Sequence, residues 1–152
     1  MRESDLLGTW SEDVLHSPGA QSDYLLHFRG DGLGSVSYET GLSSELSVFT
    51  WSLAGGCLTI TTIAAYLARG TSGDTFEPEP HDQRFDLDAA AFSITVEDTP
   101  VAGPVRVIRL RPGAHPGYPD AFGYLGDAAP PPEVTALLDR HGRAGDPEAS
   151  SP

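Results

Sequence analysis

From residue 24 to residue 111 the chain repeatedly alternates apolar and polar side chains, the period-two pattern of a half-buried strand. The clearest instance is Tyr24-Leu25-Leu26-His27-Phe28-Arg29, followed by Gly30-Asp31-Gly32-Leu33-Gly34 and then Ser35-Val36-Ser37-Tyr38-Glu39-Thr40. The glycines supply the positive-φ positions of a turn, so these pieces predict a β-hairpin. A second hairpin is predicted by residues 46–53, a turn at Gly55-Gly56 and residues 57–63, where β-branched residues favour a strand. Residues 83–88, 92–98 and 105–111 alternate again, and Thr9 to Leu15 reads as a first strand. A run of about eight antiparallel strands joined by short turns has edges to hide, and closing the sheet on itself removes them. The predicted fold is all-β, a single antiparallel up-and-down barrel spanning residues 1–112.

After Pro112 the pattern changes. Residues 113–141 form a Pro/Gly-rich extension in which Pro130-Pro131-Pro132 precede Glu133 to Arg140, with Val134, Leu137 and Leu138 at helical spacing. That predicts a short helix, because proline is tolerated in a first turn. Residues 142–152 have the composition of a disordered tail.

At 152 residues the chain is sized for one domain, and 17 glycines and 13 prolines agree with many turns. The net charge of -13 argues against nucleic acid and against an anionic membrane surface, since both require a clustered basic face. A small molecule or a basic protein partner fits better. All nine basic residues are arginine, a bias expected of a GC-rich bacterial genome. The N-terminus shows no secretory pattern and no run approaches the ~20 apolar residues of a membrane span, so a cytoplasmic location is expected. The single cysteine, Cys57, agrees with a reducing compartment.

The stretch Ser4 to Leu7 followed by Gly8-Thr9-Trp10 resembles the entry to the lipocalin-like (calycin) barrels, in which a short helical turn leads into Gly-X-Trp at the start of the first strand. The resemblance implies that Gly8 lets the chain pass beneath the barrel and that Trp10 closes one end. It also implies an arginine from the end of the last strand packed over the indole, which here means Arg109 or Arg111.

Few residues carry chemistry by their spacing. Gly30 to Gly34 lacks the following helix of a phosphate loop and reads as a hairpin turn. Cys57 reads as a small buried hydrophobe. His81-Asp82 with Asp86 and Asp88 offers carboxylates beside an imidazole, yet Asp86 and Asp88 share the face opposite Phe85 and Leu87 and so read as the solvated side of a strand. No metal-ligand spacing, cofactor motif or catalytic constellation emerges. His27 is the one histidine set in a strong strand, between Leu26 and Phe28.

The aromatic residues on most strands are a better lead, because an eight-stranded barrel is just wide enough to be filled by side chains or to hold one small ligand. Three functions follow. The first is binding of a small apolar or aromatic ligand in the lumen, with Tyr38, Trp51, Tyr66 and His27 along the wall and the loop from Gly70 to Pro80 as a lid. The second is a cyclase or isomerase on the same frame, with His27 or a tyrosine moving a proton. The third is an acidic immunity- or inhibitor-type module whose charge attracts a basic protein.

Overall fold

In the computed structural model, which describes residues 2–16, 22–40, 43–69, 77–78, 84–100, 102–111, 118–127 and 130–144, the alternating segments are strands. They are β1 (Gly8–Ser11), β2 (Ser22–Phe28), β3 (Leu33–Thr40), β4 (Ser43–Ala54), β5 (Cys57–Arg69), β6 (Glu77–Pro78), β7 (Leu87–Thr99), β8 (Gly103–Arg111) and β9 (Ala121–Gly126). One helix, α1 (Pro132–Ala144), follows, and 3-10 turns occupy Glu3–Asp5 and Asp13–Leu15. Hydrogen bonds link β4-β3-β2-β1-β9-β8-β7-β5, and β5 pairs back with β4, so eight antiparallel strands close into a barrel-like sheet. β6 lies along Tyr66 and Leu67 of β5, beyond the Cys57 to Ile60 stretch that holds β7.

The number of strands agrees with the sequence pattern, but their membership differs. The expected strand 92–98 lies within β7, which begins at Leu87 and continues past an irregular Ala89 at φ 46°, so only Leu87 and Asp88 of the expected strand 83–88 join it and residues 84–86 precede it as irregular chain. The place of that strand is taken by β9, which lies inside the stretch read as an extension, so the barrel runs to residue 126 and not to 112. Its apolar positions, Phe122 and Tyr124, are too few to signal a strand, yet they complete the sheet by pairing with both β1 and β8. β1 stops at Ser11, where the Asp23 carboxylate accepts from the Ser11 hydroxyl at 2.7 Å and from the Asp13 amide at 2.9 Å and turns the chain away. α1 contains the expected 133–140 helix and extends it to Ala144. The Gly70 to Pro80 loop, apart from Glu77–Pro78, lies outside the described residues, as do His81, Asp82 and the tail from 145 onward.

Side-chain parity sorts the two faces of the wall. On β4, Phe49 and Trp51 point into the lumen, while Leu46 and Val48 point outward against Val134, Leu137 and Leu138 of α1. The inner set continues with Trp10, Leu26, Phe28, Leu58, Ile60, Phe85, Ile108, Leu110 and Phe122, all buried in one cluster. Gly34 is opposite Phe49, and a Cβ there would run into the Phe49 ring and lie 2.5 Å from the His27 carbonyl oxygen. β5 carries one extra residue: Val48 pairs with Ala64 but Phe49 with Thr62, which leaves Ile63 as a bulge. A one-residue shift exchanges inside for outside, so beyond Ile63 the inward position is Ala65 and the outward one is Tyr66.

Trp10 of β1 packs inside the barrel beside the turn that precedes the strand. Its indole is fully buried and donates its N–H to the Leu6 carbonyl at 2.9 Å, tying β1 to the 3-10 turn before it. Tyr124 meets the indole edge-on at 4.9 Å. The arginine over this pair is Arg106, 4.0 Å from the Tyr124 ring centroid and 5.7 Å from that of Trp10, in place of Arg109 or Arg111. Parity explains the difference, because Arg106 shares the inward face of β8 with Ile108 and Leu110, whereas Arg109 and Arg111 are on the other face. Arg109 instead grips Glu97 with two hydrogen bonds, of 2.7 and 3.1 Å, and Arg111 is exposed. Trp10→Ala is expected to destabilise the protein by about 3–5 kcal/mol in urea unfolding. Arg106→Ala should cost about 1 kcal/mol, and Arg109→Ala about 0.5 kcal/mol or less because its ion pair faces solvent. A larger loss at Arg109 than at Arg106 would contradict this view of the Trp10 packing.

Candidate functional site

Most of the lumen is filled by a chain of aromatic contacts. Trp51 meets Phe28 at 5.2 Å, Phe28 meets Phe49 at 5.8 Å, and Phe49 stacks on Phe85 at 6.0 Å between ring centroids. Phe85 then meets Tyr118 at 5.0 Å, Tyr118 meets Tyr24 at 5.6 Å, and Tyr24 stacks on Tyr38 at 4.5 Å. The series passes from hydrocarbon rings to phenols along the lumen. Beside the phenols the packing stops, leaving a cavity of about 130 Å³.

The wall of this cavity follows from register. Tyr24 of β2 pairs with Tyr38 of β3, and Tyr38 pairs in turn with Glu45 of β4, so these three inward positions form one row. One layer further in, Val36 pairs with Ser47, and Ala65 of β5 pairs with Ser47 from the other side. Tyr118 comes from the segment before β9 and its hydroxyl hydrogen-bonds Ser47. Burial holds the Tyr24 and Tyr118 phenols above the usual tyrosine range, and neighbouring Tyr38 adds to the effect on Tyr24. The two phenols therefore remain protonated donors at any ordinary pH. Among the described residues lining the cavity there is no arginine or histidine, and Glu45 is the one carboxylate.

The residues expected along the wall divide. Tyr38 lines the cavity. Tyr66 borders it, but the Ile63 bulge turns the side chain outward and its hydroxyl hydrogen-bonds His141 Nε2 of α1 at 2.7 Å. Trp51 is six positions along β4 from Glu45, about 20 Å of strand. Its indole N–H is shared between the carbonyls of Arg29 at 3.1 Å and Leu33 at 3.0 Å, so it packs the far end of the lumen and pins the hairpin turn. His27 has the opposite parity to Leu26 and Phe28 and lies outside the barrel wall. Its Nδ1 is 2.9 Å from the Thr9 hydroxyl, and it borders an outer cleft of about 570 Å³ together with Arg29, Thr135 and Asp139. In that cleft Arg29 is already bound, to Asp31 at 2.7 Å and Asp139 at 2.8 Å.

Sequence reading missed Glu45, Ser47 and Tyr118. Glu45 and Ser47 share parity with Phe49 and Trp51, a signal present in the chain but overridden by their polarity. Tyr118 lies in a Pro/Gly-rich stretch with no period, and nothing local announces it. Of the candidate carboxylates, Asp86 accepts from the Thr62 amide at 2.7 Å and from Arg84, a structural role, and Asp88 is exposed. Among the described residues no group of His, Cys, Asp and Glu gathers as a metal site, and no helix is long and apolar enough to cross a membrane.

No family model, curated protein or solved structure matches the chain.

His27 and His141 are both lowered below the usual histidine range, each by burial first and then by a neighbouring arginine, Arg29 and Arg140 respectively. A base whose folded pKa is lowered leaves stability intact above its unfolded value, about 6.5. Below that value the unfolded chain takes up the proton first, so stability falls with pH until the folded value is passed. The urea midpoint should drop between about pH 7.5 and 5.5, and the double variant His27→Gln/His141→Gln should flatten that slope. An unchanged slope would assign the dependence to other groups.

Proposed function

We propose that this chain is a lipocalin-like binding module that takes one small ligand in the tyrosine-lined mouth of its barrel. The observation that carries the reading is the change in packing along the lumen, from tightly interlocked Phe and Trp rings to an unfilled cavity of about 130 Å³. A concave space lined by aromatic side chains with a few polar groups at a barrel mouth is the kind of surface on which a small ligand is buried. An engineered cavity of about 150 Å³ takes up benzene, which sets the ligand at roughly one ring or six to eight non-hydrogen atoms. That is smaller than the ligand a fully open lumen would accept. Support for the lipocalin-like part comes from the 3-10 turn at Glu3–Asp5, the buried Trp10 that follows Gly8, and an arginine packed over the indole.

The alternatives draw on less. An enzyme using His27 in the lumen loses its support, because that imidazole is on the outer wall. An acidic module for a basic partner draws on the net charge of -13 alone.

The test is an amide-shift NMR titration with a set of single-ring fragments, run on the natural sequence and on Ala65→Phe. The substitution fills the cavity from an inward position of β5. Fragment-dependent shifts are expected at Tyr38, Glu45 and Ser47 and should vanish in Ala65→Phe. Shifts that persist in the variant, or that cluster around His27 and Arg29, would remove the mouth as the site.

A further inference from the structure

We infer that the mouth selects a small organic cation; this ligand class rests on the reading of the mouth as a binding site and deepens it. Tyr24, Tyr38 and Tyr118 bound the cavity with phenol rings, and the faces of such rings carry negative electrostatic potential that attracts a cation held within about 6 Å. Tyr24 stacks on Tyr38 at 29° between planes and meets Tyr118 at 67°, so the three rings form one contiguous aromatic cluster beside the cavity. The Tyr118 hydroxyl is committed to Ser47, which holds that ring in place.

Glu45 supplies the second, independent element. It pairs directly with Tyr38 across the β3–β4 ladder, so its carboxylate and the Tyr38 ring rise from the same face as neighbours. Among the described residues four carboxylates are ion-paired with arginine: Glu97 with Arg109, Asp86 with Arg84, and Asp31 and Asp139 with Arg29. Glu45 has no ion pair among the described residues. A ligand that brings a positive charge over the Tyr38 ring gains the Glu45 carboxylate as a neighbour, whereas an anion is repelled by it. The net charge of -13 adds a long-range field of the same preference.

Size and hydration narrow the class. A metal ion requires several oxygen ligands, and one carboxylate with aromatic walls does not form such a shell. An alkylated ammonium is weakly hydrated, matches the phenol faces and fits the 130 Å³ available. The chemistry thus points to a methylated or otherwise substituted ammonium of about one ring in bulk.

The experiment compares three probes of one shape and different charge: tetramethylammonium, tert-butanol and pivalate. Binding is followed by amide shifts of Tyr38 and Glu45 on the full chain. Tetramethylammonium should bind at least about tenfold more tightly than tert-butanol, and pivalate should not bind. Raising sodium chloride from about 50 to about 500 mM should weaken the cation and leave the alcohol unchanged. Glu45→Gln should lower the affinity for tetramethylammonium by about three- to tenfold and spare tert-butanol. Tyr38→Leu, with unfolding midpoints to confirm an intact fold, should weaken the cation likewise. Equal or tighter binding of tert-butanol, or any preference for pivalate, overturns cation selection while leaving the mouth as a ligand site. Failure of tetramethylammonium to bind overturns cation selection, and failure of the single-ring fragments as well, or binding that survives Ala65→Phe, removes the site and both readings with it.

Discussion

The four residues of β1 hydrogen-bond to β2 on one side and to β9 on the other, and the fully buried indole of Trp10 occupies the junction. An open sheet in this order would leave β1 and β9 as unpaired edges some hundred positions apart in the chain, each a template for pairing with another molecule. Joining them costs the entropy of a long loop closure, which the burial of Trp10, Leu6 and Phe122 must offset. Tyr124 and Arg106 cover the same indole from β9 and β8, so three consecutive members of the barrel converge on one side chain. The rest of the structure, including the existence of an inside and an outside, depends on this closure.

Once the barrel is closed, parity governs everything. A strand offers alternate residues to each face, and the inner face is supplied by aromatics that interlock from Trp51 to Phe85. The outer face of β3 and β4 is apolar only where α1 covers it, through Leu33, Leu46 and Val48. The bulge at Ile63 is the point where the two schemes meet: it turns Tyr66 from the lumen toward His141, and it puts the small Ala65 on the inside. One extra residue on β5 therefore both attaches the helix and opens room at the mouth.

The charge arrangement follows the same division. Two arginines of the outer surface are joined to carboxylates, Arg84 to Asp86 and Arg109 to Glu97, while Arg29 clamps α1 through Asp139. The mouth is lined instead by phenols and a carboxylate. A barrel whose packing is hydrocarbon at one end and phenolic at the other is polarised along its axis, and the polar end is the one with space.

Local pattern determined much of the fold. Period-two alternation announced the hairpins of β2–β3 and β4–β5, the glycines their turns, and the Val134, Leu137 and Leu138 spacing the helix, because these depend on neighbours within a few residues. Gly8-Thr9-Trp10 likewise marked a buried indole on the first strand. Tertiary structure alone decided which aromatics line a cavity. Trp51 and Tyr38 have equivalent patterns in the chain, yet one is packed and hydrogen-bonded at the far end and the other borders the mouth. Arg106, Arg109 and Arg111 are indistinguishable by type, and only their parity relative to Ile108 and Leu110 selects the one over Trp10. β9, Tyr118 and the Ile63 bulge had no local signal, since a strand of six residues with one buried and one half-buried aromatic becomes a strand only when unpaired edges of β1 and β8 stand on either side of it.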